Sequence, residues 1–424
     1  MLALPLAALL PACEPPPPVG QEGAATGFLG VIAGEEPRAV LTARDVLSAG
    51  GSAADAVVAG YFTMAATYPV AVGLGGGGAC VVYDRAADRA EALSFPLTAP
   101  KGGGEVALPG ALRAMAVLHA RYGRLNWGQL VAPAESLSRF GHPASRALVR
   151  RHAAAAVGRP AVAALFADGA EGALREGGGI RQVELSGTLG LIRSRGVGVM
   201  YGGPLGRAFV DAAGAVGGRL TLEDLRGYRV GWQPVVQQQF GNHQVMVPPG
   251  WPAGEALLAG LRAQADGNAA ASGTRGDLRK SRDGAGFAVM VADGSGVACS
   301  FTMGRAFGNA RMAPGLGFLV APAAPGGASP SVPVVLANEF TDQSFFAAAG
   351  AGPSAAAMLA TVLQGAGRER LPLDQALERA IALDPGGETL LQVASCPGGV
   401  RDAADLCEVR TDSRGAGYAI GGDL

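Results

Sequence analysis

Apolar residues gather in short unbroken runs closed by glycines, prolines or charges, and the runs differ in length and spacing. Phe28-Leu-Gly-Val-Ile-Ala33 has the length and composition of a short strand. Ala39 to Leu47 predicts a helix that stops at Gly50-Gly51, residues suited to the turn beyond a helix end. Ser52 then caps a long apolar helix to about Ala66, with Asp55 in its first turn, where a carboxylate meets the positive end of the helix dipole. Ala79-Cys-Val-Val-Tyr-Asp84 and Arg89-Ala-Glu-Ala-Leu-Ser-Phe95 read as a hairpin. Residues 106–170 read as helical, with one helix opened by Leu108-Pro-Gly-Ala111 and another over Trp127–Arg139. Thr221-Leu-Glu-Asp224 sets a threonine cap three residues ahead of an acid, as a capping box does. Strand patterns follow at 228–235 and 243–248, and then a turn at Pro248-Pro-Gly-Trp-Pro252. The Gly-, Ser- and Arg-rich stretch 263–286 reads as a linker. Short strands from 287 onward and helices at 354–366 and 374–382 complete the chain, and no internal repeat is present.

Composition narrows the class without naming a chemistry. A chain of 424 residues with 49% hydrophobic and 16% charged residues buries a substantial core and is not disordered. Lys plus Arg (34) balances Asp plus Glu (35), with no basic stripe, which excludes a nucleic-acid partner. The glycine run Gly73-Leu-Gly-Gly-Gly-Gly78 satisfies G-x-G-x-x-G, but it lies between a helix and a strand. A dinucleotide site needs the reverse order, so that reading fails. His119, His142, His152 and His243 are scattered, so neither a metal nor a cofactor is expected. No G-x-S-x-G elbow is present. The paired acids Glu35-Glu36 and Glu223-Asp224 read as loop and capping acids.

The cysteines divide into three groups. Leu10-Pro-Ala-Cys13 ends an apolar run too short to span a bilayer and is similar to a bacterial lipobox. The expectation is a leader over 1–12, a lipid anchor on Cys13 and a Pro-rich tether over 13–27. Membrane attachment at the bacterial envelope, on the periplasmic side, follows from it; an ordinary apolar leader is the alternative. Cys80 and Cys299 sit in apolar strand patterns and read as core thiols. Cys396 and Cys407 flank a Gly-rich charged segment, where an exported protein has the option of a short disulfide loop.

Several segments taken together resemble the gamma-glutamyltransferase family, in family order over nearly all of the chain. They are Gly50-Gly-Ser-Ala-Ala-Asp-Ala56, Gly73–Gly78, Leu108-Pro-Gly-Ala111, Tyr122-Gly-Arg-Leu125, Leu130-Val-Ala-Pro-Ala134, Gly141-His-Pro-Ala-Ser145, Thr221–Leu225 with Tyr228, and Val247-Pro-Pro249 with Gly254. The resemblance implies an α+β fold of the N-terminal-nucleophile type, a four-layer αββα sandwich with two stacked, mainly antiparallel sheets. It implies one such domain over 28–424, with 28–262 like the family's large subunit, 263–286 as linker and 287–424 like the small subunit.

The residues that carry the family's chemistry are not kept. The family's self-cleaving threonine, which is also its nucleophile, aligns with Gly284, which has no side chain to react. Among linker hydroxyls (Ser272, Thr274, Ser281), Ser281 is the first candidate to stand in. Pro96 replaces the arginine that forks onto the substrate's α-carboxylate in the family motif D-F-R-E-T-A-P. Ala321-Pro-Ala-Ala-Pro325 offers no acid for the α-amino group. Pro353 and Ser354 occupy the paired-glycine positions of the family's oxyanion donors, and Ser329 is the one serine kept of a family pair. The expectation is an uncut, catalytically silent relative with a binding or scaffolding role at the envelope. The competing expectation is an active hydrolase or transferase on gamma-glutamyl compounds such as glutathione.

Overall fold

A computed structural model describes residues 29–155, 174–266, 284–323, 331–338 and 340–421. Two antiparallel sheets lie at its centre. The first runs, from edge to edge, through Tyr418–Ile420 (β15), Gly30–Gly34 (β1), Ala285–Val291 (β9), Gly296–Thr302 (β10), Gly77–Asp84 (β2), Arg89–Phe95 (β3) and Trp232–Pro234 (β6). The second runs through Glu408–Thr411 (β14), Leu390–Ser395 (β13), Gln343–Ala351 (β12), Val332–Asn338 (β11), His243–Val247 (β8) and Val236–Phe240 (β7). A small pair, His142–Pro143 (β4) with Gly179–Ile180 (β5), lies outside both.

Strand alternation builds three apolar layers. In β1, Val31 and Ala33 face a core shared by both sheets with Met246, Ala288, Ala298, Val335 and Ala347. Ile32 turns the other way, onto the helices covering the first sheet. The far side of the second sheet packs Val334, Ala348 and Leu391 against helices Pro252–Ala265, Ala355–Val362 and Leu373–Ile381. The result is four layers, αββα, as the resemblance implies. Both faces of the central strands are covered, so these strands read as continuous apolar runs, not as alternation.

The helix Ala53–Thr67 is buried along its whole length, which explains why it is apolar on every face. Ser52 and Asp55 close its first turn as a capping box, and Thr221 with Asp224 does the same for Leu222–Gly227. Four readings from the sequence change. The helix Pro252–Ala265 begins at the predicted turn and runs into the predicted linker, whose last two residues, Ala285 and Gly286, belong to β9. The pattern at 228–235 yields only Trp232–Pro234, and the neighbouring Gln-rich β7 carries no apolar pattern that would announce it. Cys80 and Cys299 are not separate thiols: they face each other across β2 and β10 and form a disulfide. Glu35 lies in the two-residue bend between β1 and the helix Pro37–Ser48, but it is buried, not a solvated loop acid.

Candidate functional site

One end of the first sheet brings Gly284 and Pro96, which the sequence singled out, into line with three neighbouring strand ends. Glu35 directly follows β1, Gly284 precedes β9, Thr302 ends β10, Gly77 begins β2, and Pro96 follows β3. These strands are consecutive neighbours, so the five residues form a row along the sheet's end. At one strand spacing per step, Gly284 and Pro96 lie about 14 Å apart. Gly77 abuts Pro96: a Cβ on that glycine would sit 3.1 Å from the Pro96 carbonyl carbon. From the second sheet, the end of β12 brings Ala351, Pro353 and Ser354 to the same place. Ala321 approaches from the loop before β11, its carbonyl accepting the Ala107 N–H at 2.9 Å. Ser281, Ser329 and Cys13 lie outside the described residues. Cys396 and Cys407 form a disulfide at the opposite end of the second sheet.

Gly284 is held in a way no other residue type would tolerate. Its φ is +106°, in the region that costs an L side chain strain, and an added Cβ would lie 2.5 Å from the Phe301 carbonyl oxygen. Gly286 is just as confined, since a Cβ there would meet the Ala349 carbonyl at 2.7 Å, so the two sheets approach backbone to backbone at this end. The Phe301–Ala285 pair sets Thr302 across from Gly284. Its hydroxyl accepts the Gly304 N–H at 2.9 Å.

Beside Gly284 lies a buried polar cluster that the sequence did not reveal. The Arg151 Nη2 donates to the Gly284 carbonyl at 2.8 Å and lies 3.9 Å from Glu35 Oε2. Glu35 also accepts from the Tyr68 hydroxyl at 3.2 Å and from the Gly286 N–H at 3.3 Å. Burial raises the Glu35 carboxyl above its ordinary value, and Arg151 with the two hydrogen bonds only partly offsets it. Tyr68 is pushed well up by burial and by the neighbouring carboxylate. A lone acid after a strand, an arginine in a helix and a tyrosine at a helix end carry no joint signal in sequence.

The raised carboxyl fixes a pH dependence. Folding favours the protonated form of Glu35, so its stabilisation is full below the ordinary value near 4.5 and is lost as pH rises through the folded value. Relative to Glu35→Gln, the wild type should lose stability as pH climbs from about 4 towards neutrality, by at most about 1.4 kcal/mol per pH unit. Melting temperatures of both proteins across that range measure it. A gap that stays flat or widens in the wild type's favour would contradict the buried setting of Glu35.

The positions that the resemblance assigns to the oxyanion donors have no free N–H between them. Pro353 has no N–H to give, and the Ser354 N–H donates to Thr389 Oγ1 at 2.9 Å.

The sequence pattern that defines the family described as gamma-glutamyltranspeptidase matches residues 39–275, more than half of the chain. The chain belongs to the gamma-glutamyltranspeptidase family. Among curated relatives, the acylase ACY 1 proenzyme of Pseudomonas sp. (strain V22) is 30% identical over 254 residues, covering 53% of this chain and 45% of that protein. The glutathione hydrolase 5 proenzyme of Homo sapiens is 30% identical over 239 residues, covering 51% of this chain and 40% of its own length. The chain thus spans less than half the length of these relatives. A cephalosporin acylase structure from Bacillus halodurans superposes with a TM-score of 0.72 at 20% identity, covering 97% of this chain and 99% of that one. At that identity the likeness establishes the gamma-glutamyltranspeptidase-type fold and nothing finer.

Proposed function

We propose that this member of the gamma-glutamyltranspeptidase family is not self-cleaved, does not turn over gamma-glutamyl substrates, and serves as a binding or scaffolding protein at the bacterial envelope. The observation that carries the reading is the setting of Gly284. Beyond lacking a hydroxyl, the residue occupies a backbone conformation and a packing gap in which no side chain fits. The hydroxyl across from it, Thr302, makes one hydrogen bond among the described residues, with a backbone N–H. An alcohol nucleophile needs an adjacent base. Pro96 and the engaged Ser354 N–H remove substrate and oxyanion contacts of the family pattern.

The relatives' names keep a competing reading in view, an active glutathione-type hydrolase or transferase. One experiment decides between them. The purified protein should run as a single chain on a denaturing gel and release no glutamate from a gamma-glutamyl anilide above background. Two fragments split between about residues 270 and 285, or steady glutamate release, would end the silent reading and turn attention to Ser281.

The envelope part rests on Leu10-Pro-Ala-Cys13 and on two disulfides, which suit an oxidising compartment. Acylation of Cys13 by several chains anchors firmly, where one chain binds only reversibly. Cys13→Ser should move the protein from the membrane to the soluble fraction. A wild type already soluble and beginning at Met1 would refute the anchor.

A further inference from the structure

Beside Gly284, on the flank away from Pro96, a cavity of about 60 Å³ opens among Glu35, Tyr68, Arg150, Arg151, Gln392 and Arg414. It lies between the helix Arg146–Ala155, the end of β1, the start of β13 and the loop that leads into β15. Its polar groups are not equally engaged. Arg414 commits its guanidinium to Asp384, Asp412 and the Thr389 carbonyl. Arg151 holds the Gly284 carbonyl beside Glu35. Arg150 differs: it donates to the backbone carbonyls of Arg414 and Gly415, and among the described residues no carboxylate lies within ion-pair distance of it, although Glu176, paired with Arg146, feels its charge. Gln392 is 1% exposed, faces the seam between the sheets from β13, and its Oε1 has no hydrogen-bond partner among the described residues. A buried acceptor without a donor costs about 1–3 kcal/mol, so a ligand that supplies one gains that difference.

We propose that this cavity binds a small carboxylate bearing a hydrogen-bond donor on its α-carbon, a short 2-hydroxy acid or a small α-amino acid. The carboxylate accepts from Arg150, whose planar fork suits it. The α-hydroxyl or ammonium donates to Gln392 Oε1. Size sets the limit: at roughly 10–15 Å³ per water-sized position, the cavity holds about four to six heavy atoms. Charge sets a second limit. Arg151 already faces Glu35 and Arg414 is taken by Asp384 and Asp412, so Arg150 is the cation left for a ligand and a dianion such as sulfate is not favoured over a monoanion there. The proposal gives a ligand to the binding role above and rests on that reading; because binding is read without turnover, its failure is distinct from glutamate release, which tests the loss of catalysis.

Calorimetric titration of the full chain with glycolate, glycine, acetate and sulfate tests it, at concentrations up to about 10 mM. Glycolate or glycine should bind, and acetate, which lacks the α-donor, should bind at least about ten-fold more weakly. Arg150→Gln, a change at an exposed position, should weaken binding at least about ten-fold, while Arg44→Gln on the distant surface should leave it unchanged. Binding of glycolate alone or of glycine alone identifies the donor and supports the class. No heat from either, equal binding by Arg150→Gln, or sulfate binding tighter than both would overturn the proposal. If Gln392→Leu remains folded, it should abolish the preference over acetate; a preserved preference would assign the donor contact elsewhere and overturn the role of Gln392.

Discussion

Gly284→Thr should give a less stable protein that still releases no glutamate. The new Cβ meets the Phe301 carbonyl at 2.5 Å and must either displace β10 or leave a φ of +106°. Overpacking costs about 1–3 kcal/mol, and holding a β-branched residue at positive φ costs about 1–2 kcal/mol more. At about 2 °C per kcal/mol for a large domain, the melting temperature should fall by roughly 4–10 °C. Gly284→Ala should fall by nearly as much, because the clash lies at Cβ and not in the branch. On the proposed reading, glutamate release stays absent for separate reasons. Pro96 cannot fork onto a carboxylate, Pro353 has no N–H, and the Ser354 N–H is already donated to Thr389. One lost oxyanion donor alone costs about 3 kcal/mol, a hundred-fold or more in rate. Melting curves and glutamate release beside an active family member measure both halves. An alanine variant as stable as the wild type would show that the Gly284 backbone is not held as described, and release by the threonine variant would show the lost contacts to be dispensable.

Arg151→Met should be the most damaging single change near the site. The guanidinium is buried, holds the Gly284 carbonyl and faces Glu35, so its removal leaves a buried carboxylate without a charge partner and a carbonyl without a donor. Breaking a buried pair from one side costs about 3–5 kcal/mol. Adding Glu35→Gln should recover part of the loss, because the second change removes the stranded charge. Denaturant unfolding of the two single variants and the double variant gives the coupling directly. Strict additivity would mean that the two side chains do not depend on each other.

Much of the architecture was legible because local chemistry announces it. Ser52 with Asp55 and Thr221 with Asp224 cap helices through contacts three residues apart, which any reader of the chain can see. The hairpin from β2 to β3 was legible for the same reason. Gln-rich β7 was not: an edge strand exposed to water needs no apolar pattern, and its pairing with β8 rests on backbone groups and on the Gln244 side-chain amide donating to Gln239 Oε1 at 2.6 Å. The Cys80–Cys299 bridge was equally hidden, since it joins residues 219 apart that only the β2–β10 register sets face to face.

The sequence by itself determined the family and the main capped helices and the β2–β3 hairpin, because each is written in residues that are neighbours or nearly so. Only the tertiary structure decided that Gly284 has no room for a side chain, that the Ser354 N–H is taken by Thr389, and that Glu35, Tyr68, Arg151 and Gln392 meet around one cavity. Those facts depend on how closely two sheets approach and on which strand ends share an edge. Distances of that kind are set by packing across the whole sandwich, and no local stretch of sequence encodes them.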